Sequence, residues 1–236
     1  MTYVMSDLHG CCKQFLQMCE TIRLEEKDDL FLLGDLVDRG PEPMPLLLEC
    51  MQRPNVYPLM GNHEALFLRC AQQISPQATP ENFFSGYFPF VHEVCTPWLQ
   101  NGGEVTLMQF LALSPAKRQL VLAYLEEFSL HEHCVVEGVP YLLTHSGIRG
   151  YRKGKPLKEY EPDDFLQARP SVDTVYDNDA VLVFGHTPTL SFLPAAAQAE
   201  VLFTESYINV DCGAVFSGAG GRLACLRLDD RKVFYV

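Results

Sequence analysis

Short apolar runs alternate with helical patterns along this chain. The runs contain three to five residues, rich in Val, Leu, Phe and Tyr, and lie at 2–5, 30–33, 56–60, 141–143 and 181–184. Such runs are typical of strands that are buried on both faces of a sheet. Between the first two runs, Phe15, Cys19 and Ile22 recur at helical spacing, and 45–51 suits a second helix with proline in its first turn. This strand–helix–strand order predicts an α/β layered fold.

The stretch 74–130 has a different pattern. It carries Pro and Asn breaks, an aromatic-rich run at 83–90 and two predicted helices near 104–113 and 116–128. We interpret it as a helical insertion that lies over the α/β core. After it the chain returns to strand-like runs, at 134–136, 201–203, 207–210, 223–228 and 233–236.

Polar residues of a shared chemistry follow the five apolar runs that were named first. They are, in chain order, Asp7, His9, Asp35, Asp38, Arg39, Asn62, His63, His145 and His186. Because ligands of α/β sheets collect outside the carboxyl ends of the strands, we expect these side chains to meet in one crevice. Asp, His and Asn together suit Mn, Fe or Zn, and one carboxylate can bridge two cations about 3.5–4 Å apart. The pattern predicts a dinuclear metal site that promotes attack on phosphorus.

The motifs that contain these residues resemble the signature blocks of the calcineurin-like metallophosphoesterases. They read DLHG at 7–10, GDLVDRG at 34–40, GNHE at 61–64, HSG at 145–147 and GHTP at 185–188. More narrowly, with WLQNGGEVTL at 98–107, the chain is similar to the compact bacterial and phage-type serine/threonine phosphatases of the phosphoprotein phosphatase family. The resemblance runs from about residue 2 to 228. It implies a four-layer α/β/β/α sandwich, formed by a single domain over 1–236 with the insertion above the active site.

The resemblance also implies a set of metal ligands. Two divalent cations are expected, most readily Mn, with Fe or Zn as alternatives. The first ion would be bound by Asp7 and His9, the second by Asn62, His145 and His186, and Asp35 would bridge the two.

The same resemblance implies catalytic roles for residues beside these ligands. His63 would protonate the leaving oxygen, and Asp38 would orient His63. Arg39 would hold the phosphate as a planar, bidentate fork. A second phosphate-binding arginine is expected between the last two histidine ligands, for which Arg169 is our choice and Arg149 and Arg152 remain competitors.

The resemblance implies hydrolysis of a phosphomonoester by a hydroxide that bridges the two metals, with a phosphoprotein or phosphopeptide as substrate. The alternative is a symmetrical bis(5'-nucleosyl)-tetraphosphatase, which acts on diadenosine tetraphosphate. A sister branch with that activity typically carries Gln where this chain has His9, and Lys117 and Arg118 are the only basic residues of the insertion. Both observations favour the phosphatase. A more remote alternative is a non-catalytic binding protein, although no expected metal ligand is missing.

Charge and cysteine content limit the partners and the compartment. The net charge of −12 argues against a broad nucleic-acid or anionic-membrane surface. The N-terminus lacks the pattern of a signal peptide, and no apolar stretch approaches the roughly 20 residues that span a bilayer. Nine scattered cysteines without a CxxC pair are typical of reduced thiols. We therefore expect a cytoplasmic protein, of an oligomeric state that the sequence does not reveal.

Overall fold

The apolar runs of the sequence form most of the strands of two five-stranded sheets in the computed structural model, which describes residues 1–176, 179–192 and 196–236. The strands are β1 (Thr2–Met5), β2 (Asp29–Leu32), β3 (Val56–Pro58), β4 (His131–Val136), β5 (Val139–Thr144), β6 (Val181–Phe184), β7 (Leu202–Phe203), β8 (Tyr207–Asn209), β9 (Ala224–Arg227) and β10 (Val233–Tyr235). The first sheet has the order β10-β9-β1-β2-β3, and the second has the order β4-β5-β6-β8-β7.

Each sheet contains three parallel strands. β1 pairs with β2, and β2 with β3, in parallel, with Val4 opposite Phe31 in the register. In the second sheet β5, β6 and β8 are parallel neighbours, with Leu143 opposite Val183. The parallel strands of one sheet all end at the same edge, so the segments that follow them lie side by side.

The two sheets pack face to face. Val4 of β1 and Leu226 of β9 lie in one buried cluster with Leu143 of β5 and Val183 of β6. The opposite faces of the same strands are also buried, because the side chains of a strand alternate between its two faces. Burial on both faces explains why these strands read as continuous apolar runs, and the predicted α/β sandwich is confirmed.

Helices cover the outer face of the first sheet. They are α1 (Cys12–Ile22), α2 (Pro43–Cys50) and α3 (Asn62–Ala71). α1 buries Phe15, Met18 and Ile22 along one face, at the spacing that the sequence predicted. On the outer face of the second sheet, the short helix α7 (Pro162–Leu166) contributes Phe165 to a smaller aromatic cluster.

The insertion is helical, as predicted. It contains α4 (Phe88–Trp98), α5 (Glu104–Ala112) and α6 (Pro115–Glu126), with π-helical turns at Phe83–Tyr87 and Leu99–Gly103. α5 and α6 match the two helices expected from the sequence. α4 was not expected, because its aromatic start and its internal Pro97 hide the helical pattern.

The expectation that all nine cysteines are reduced is wrong for two of them. Cys70, near the end of α3, and Cys95, in α4, form a disulfide. The two helices pack against each other and bring these fully buried side chains together. The other seven cysteines are free thiols, six of them buried. No helix in the described ranges has the length and apolar character to cross a membrane.

Candidate metal centre

The predicted site residues converge where the parallel strands of both sheets have their carboxyl ends. Backbone hydrogen bonds tie the loops after these strands together. Asp7 N–H donates to the Gly34 carbonyl over 3.1 Å, and His9 N–H donates to the Asp35 carbonyl over 2.8 Å. In the second sheet, Gly185 N–H donates to the His145 carbonyl over 2.8 Å. Within each sheet, the loops that carry the site residues are therefore held side by side.

Tight turns at the strand ends hold many of these residues in the left-handed backbone region. The φ angle lies between 42° and 72° at Asp7, His9, Asp35, Asp38, Arg39 and His186. A non-glycine residue in this region costs on the order of 1–3 kcal/mol and persists where the surrounding structure enforces it. The surrounding structure therefore holds these turns in a strained conformation, which directs the side chains into the site.

Asp35 lies between two groups of histidines. Its Oδ1 is 3.5 Å from His145 Nε2, whereas its Oδ2 is 3.7 Å from His9 Nε2 and 3.8 Å from His63 Nε2. Each carboxylate oxygen thus faces a different set of ring nitrogens. This is the arrangement that a carboxylate shared between two cations requires.

The first group is formed by His9 and His63, whose ring centroids are 4.7 Å apart. His9 Nδ1 donates to the Val37 carbonyl over 2.8 Å, which leaves Nε2 as the ring's acceptor. The Arg39 guanidinium lies between the two rings, with Nη1 2.6 Å from His9 Nε2 and Nη2 2.9 Å from His63 Nε2. The Nε2 atoms of both buried rings therefore face the positive charge of Arg39.

The second group contains Asn62, His145 and His186. His145 Nδ1 donates to the Leu33 carbonyl over 2.7 Å, and its Nε2 lies 2.9 Å from Asn62 Oδ1 and 3.1 Å from His186 Nδ1. Acceptor atoms converge here in a buried space, and His186 Nε2 has no hydrogen-bond partner among the residues that the structure describes. Asn62, His145 and His186 could hold a cation, which would satisfy acceptors that otherwise face one another.

Asp7 lies beside the second group. Its Oδ2 accepts the backbone N–H of His186 over 2.8 Å and a short hydrogen bond from the Ser6 hydroxyl. Burial, and then the charge of Asp35, raise the pKa of Asp7 to about 6. A Cβ at Gly185 would lie 2.2 Å from the same Asp7 oxygen, so glycine is needed for this close approach.

The protonation states fit the binding of divalent cations. Burial lowers the pKa of His9 and of His186 to about 3, so both imidazoles are neutral and keep a lone pair. Burial acts to raise the pKa of Asp35, but the surrounding histidines, with His145 and then His63 foremost, outweigh it and hold the pKa below its ordinary value. Neutral nitrogens around a charged, shareable carboxylate suit Mn, Fe or Zn. The donor set therefore fits two metal ions.

His63 and Asp38 form a buried pair beside the first group. His63 Nδ1 lies 2.6 Å from Asp38 Oδ2, and both side chains are almost completely buried. Burial acts to lower the pKa of His63, but the carboxylates of Asp35 and Asp38 outweigh it and raise the pKa overall. The pair has the geometry of an oriented proton donor.

The three candidate arginines differ in their surroundings. Arg169 donates from Nη1 to the Thr187 hydroxyl over 3.1 Å, and Thr187 directly follows His186. The guanidinium of Arg149 instead pairs with Asp164 over 3.1 Å. Arg152 is exposed. Of the three, Arg169 is anchored beside the metal centre.

Glu64 is a buried residue of the site to which sequence reasoning assigned no role. Its two carboxylate oxygens accept the backbone N–H groups of Asp35, Leu36, Val37 and Gly61, over 2.7 to 3.0 Å. Its place directly after Asn62 and His63 in GNHE was the only available signal. The carboxylate fixes the loop that carries Asp35.

Comparisons with known proteins agree with this geometry. The family model for calcineurin-like phosphoesterases matches residues 2–218. The symmetrical bis(5'-nucleosyl)-tetraphosphatase of Nitrosospira multiformis is 35% identical, over 98% of this chain and 94% of its own length. The asymmetrical bis(5'-nucleosyl)-tetraphosphatase PrpE of Bacillus thuringiensis is 24% identical, over 99% of this chain and 92% of its own. A solved structure assigned as a diadenosine tetraphosphatase has a TM-score of 0.65 and 17% identity, covers 100% of this chain and 92% of that chain, and shares the fold.

Proposed function

Because this chain belongs to the calcineurin-like phosphoesterase family, we propose that it is a metal-dependent hydrolase of dinucleoside tetraphosphates, with diadenosine tetraphosphate as the reference substrate. The bis(5'-nucleosyl)-tetraphosphatases named above align with it over nearly their whole length. This similarity favours the alternative prediction, a bis(5'-nucleosyl)-tetraphosphatase, over a phosphoprotein phosphatase. We assign His9, whose buried ring has Nε2 3.7 Å from Asp35 Oδ2, to the metal centre. Either reaction would use that centre, so His9 does not separate the two.

A pair of arginines carries this proposal, one of them from a basic segment that begins four residues after His145. Five of the chain's 18 Lys and Arg residues lie within 149–158, although the net charge is −12. Arg149 and Arg169 line one cavity of about 290 Å³, and Arg169 also contacts Thr187 beside the second histidine group. A tetraphosphate extends far beyond the reacting phosphoryl group and carries several negative charges. The positive charges of Arg149 and Arg169 on one cavity suit such a substrate better than a single phosphoserine.

Each proposed role uses a group that lies at the site. Two bound divalent cations would supply a nucleophile from water at neutral pH and positive charge around the reacting phosphoryl group. Arg39 and Arg169 present guanidinium forks that can hold its oxygens. His63, held by Asp38, donates a proton to the leaving oxygen. The cations would be bound by Asp7, His9, Asp35, Asn62, His145 and His186, and Mn²⁺ is the first metal to test.

The buried His63–Asp38 pair favours a second candidate function, that of a serine/threonine phosphoprotein phosphatase. The serine alkoxide is a strong base, so its departure depends on a proton donor. A nucleoside diphosphate is a weaker base and departs more readily without one. The 2.6 Å contact between His63 and Asp38 therefore provides chemistry that a phosphomonoester needs more than a phosphoanhydride does.

Truncation of Arg149 tests the preferred substrate. With metal-stripped protein and added Mn²⁺, we expect Arg149→Ala to raise the KM for diadenosine tetraphosphate about tenfold, which corresponds to one charge-assisted contact of about 1.4 kcal/mol. The KM for a phosphoserine peptide should change less than about twofold. The exposed pair of Arg149 with Asp164 adds little stability, so the variant should fold. Arg23→Ala, an exposed position after α1, is the control.

Three other outcomes separate the candidates. Turnover of the peptide with none of the dinucleotide would support the phosphatase. An equal change of both KM values would show that Arg149 does not select polyphosphates. Bound metal without turnover of either substrate would support the non-catalytic binding protein.

A further inference from the structure

We propose that the segment 98–106 of the insertion positions the proton donor of the reaction, with Trp98 and Thr106 as positioning residues that act through Asp38. This inference rests on the proposed role of His63 as the group that protonates the leaving oxygen. It assigns a purpose to a motif, WLQNGGEVT, that the metal centre itself does not use.

Asp38 is held on both of its carboxylate oxygens by the insertion. Trp98 donates its indole N–H to Asp38 Oδ2 over 2.8 Å, and the same oxygen faces His63 Nδ1. The Thr106 hydroxyl donates to Asp38 Oδ1 over 2.6 Å and accepts the backbone N–H of Asp38 over 2.9 Å. Asp38, Trp98 and Thr106 are all completely buried. The carboxylate therefore has one orientation, which two side chains from outside the α/β core define.

The two glycines of the motif allow this arrangement. A Cβ at Gly103 would lie 2.4 to 2.6 Å from three atoms of the Trp98 indole, so only glycine lets the ring lie flat against the backbone. Gly102 has φ of +94° and accepts the backbone N–H of Arg39 over 3.1 Å. The π-helical turn at Leu99–Gly103 thus fixes the backbone of Arg39 and the ring that reaches Asp38 at the same time.

Packing behind the indole makes the support rigid. Trp98 stacks on Phe67 of α3, with ring centroids 5.2 Å apart, and Phe67 meets Phe110 of α5 edge to face at the same distance. α3 also carries His63 in its first turn. The proton donor and the tryptophan that orients its partner therefore rest on the same aromatic cluster.

Proton donation depends on this orientation. As the P–O bond to the leaving group breaks, the N–H bond of His63 breaks and an O–H bond forms on the leaving oxygen, so that neutral His63 and a protonated leaving group result. The donor and the leaving oxygen must come within about 2.6–3.2 Å. Without the Thr106 hydroxyl, the buried Oδ1 of Asp38 loses its hydrogen bond. The carboxylate is then free to rotate away from His63.

Leaving groups of different basicity reveal this role. Phenyl phosphate needs the proton more than p-nitrophenyl phosphate, because phenoxide is the stronger base. We expect Thr106→Val to lower kcat for phenyl phosphate about 30-fold and kcat for p-nitrophenyl phosphate less than about threefold, a part of the 10²–10⁴-fold that acid–base catalysis supplies. Thr106→Ser should restore both rates, and bound Mn²⁺ should be unchanged. Thr21→Val, on the exposed face of α1, is the matched control.

A second readout needs no turnover. Trp98 is the chain's single tryptophan, so one indole N–H signal in a ¹H–¹⁵N spectrum reports the bond to Asp38. We expect slow exchange of this proton in the natural protein and in Thr106→Ser, and at least tenfold faster exchange in Thr106→Val. If Thr106 had only a structural role, Thr106→Val would lower the melting temperature and leave the indole signal and the leaving-group dependence unchanged.

The failure of this inference can be told apart from the failure of its premise. If His63→Asn slows phenyl and p-nitrophenyl phosphate equally, His63 is not the proton donor and the premise is wrong. If His63→Asn shows the leaving-group dependence and Thr106→Val does not, the positioning role alone is overturned. Unchanged indole exchange in Thr106→Val also overturns it, whatever substrate the enzyme accepts.

Discussion

Glu64 Oε2 accepts the backbone N–H of Asp35 over 2.7 Å, so that one buried acid holds the main chain of another. Burial, and then the charge of Asp35, raise the pKa of Glu64 to about 7. The Glu64 oxygens also accept three further backbone N–H groups, so this side chain holds the loop that carries Asp35 in place. Bound cations add positive charge nearby and favour the ionised form of both acids.

Replacement of Glu64 should lower both the stability of the fold and the affinity for metal. In Glu64→Gln, the amide group is a donor that meets backbone N–H donors where a carboxylate oxygen accepted them. We expect a loss of about 2 kcal/mol in the free energy of unfolding and a 10–100-fold loss in Mn²⁺ affinity. Urea unfolding and metal titration measure these changes. The exposed Glu20→Gln variant should show neither, and an unaltered Mn²⁺ affinity in Glu64→Gln would contradict the role of Glu64.

Asp35 faces both histidine groups, so its loss should affect both metals. Asp35→Asn keeps the shape but removes the charge, and we expect turnover to fall by on the order of 10³-fold or more. Elemental analysis of the purified protein should show fewer than two Mn²⁺ ions per chain. Asp163→Asn, at an exposed position of α7, is the control. Full activity with two bound ions in the Asp35 variant would contradict a bridging carboxylate.

The sequence predicted the strands well, and the polar residues that follow them lie together, because both features follow local rules. Val181–Phe184 and Thr2–Met5 have the bounds that were expected, since strands buried on both faces leave an uninterrupted apolar signal. Asp7, Asp35 and His145 meet because each follows a parallel strand, and such strands end at one edge of their sheet. The arrangement of the metal-site residues was therefore already implicit in the order of the motifs.

Other features depend on packing that no local pattern contains. Cys70 and Cys95 lie 25 residues apart on two helices, and only the packing of α3 on α4 brings them together. The bonds of Trp98 and Thr106 to Asp38 cross 60 and 68 residues of chain. The substrate was also difficult to predict, because the motifs contain the candidate metal-site residues, which either proposed reaction would use. The basic segment 149–158, from which Arg149 lines a cavity with Arg169, lies outside those motifs.

The contact between Gly103 and the Trp98 ring makes a packing prediction. In Gly103→Ala, the added methyl group overlaps the indole, and we expect a loss of about 1–3 kcal/mol in the free energy of unfolding. Gly86 lies in the same insertion with nothing within 4 Å of a Cβ, so Gly86→Ala should cost nothing measurable or stabilise slightly. Urea unfolding, followed by the emission of Trp98, measures both. Equal stability of the two variants would contradict the packing described.

The disulfide makes a prediction about thiols and stability. Seven of the nine cysteines should react with a thiol reagent in denaturant, and all nine after reduction. Opening a link that spans 25 residues should cost about 3 kcal/mol by loop-closure entropy. We expect dithiothreitol to destabilise the natural protein and a Cys134→Ala control alike, and to leave the doubly substituted Cys70→Ala, Cys95→Ala protein unchanged. Nine reactive thiols without reductant would show that the bond does not form.

A comparison of two substrates with one preparation decides between the two candidate functions. Metal-stripped protein, reconstituted with Mn²⁺, is assayed for kcat/KM on diadenosine tetraphosphate, with the nucleotide products identified, and on a phosphoserine peptide. We expect strictly metal-dependent cleavage of the dinucleotide, with kcat/KM at least tenfold above that for the peptide. Identification of ADP alone would indicate symmetrical cleavage, and of ATP with AMP asymmetrical cleavage. Metal-dependent turnover of the peptide with the dinucleotide left intact would contradict the proposed function.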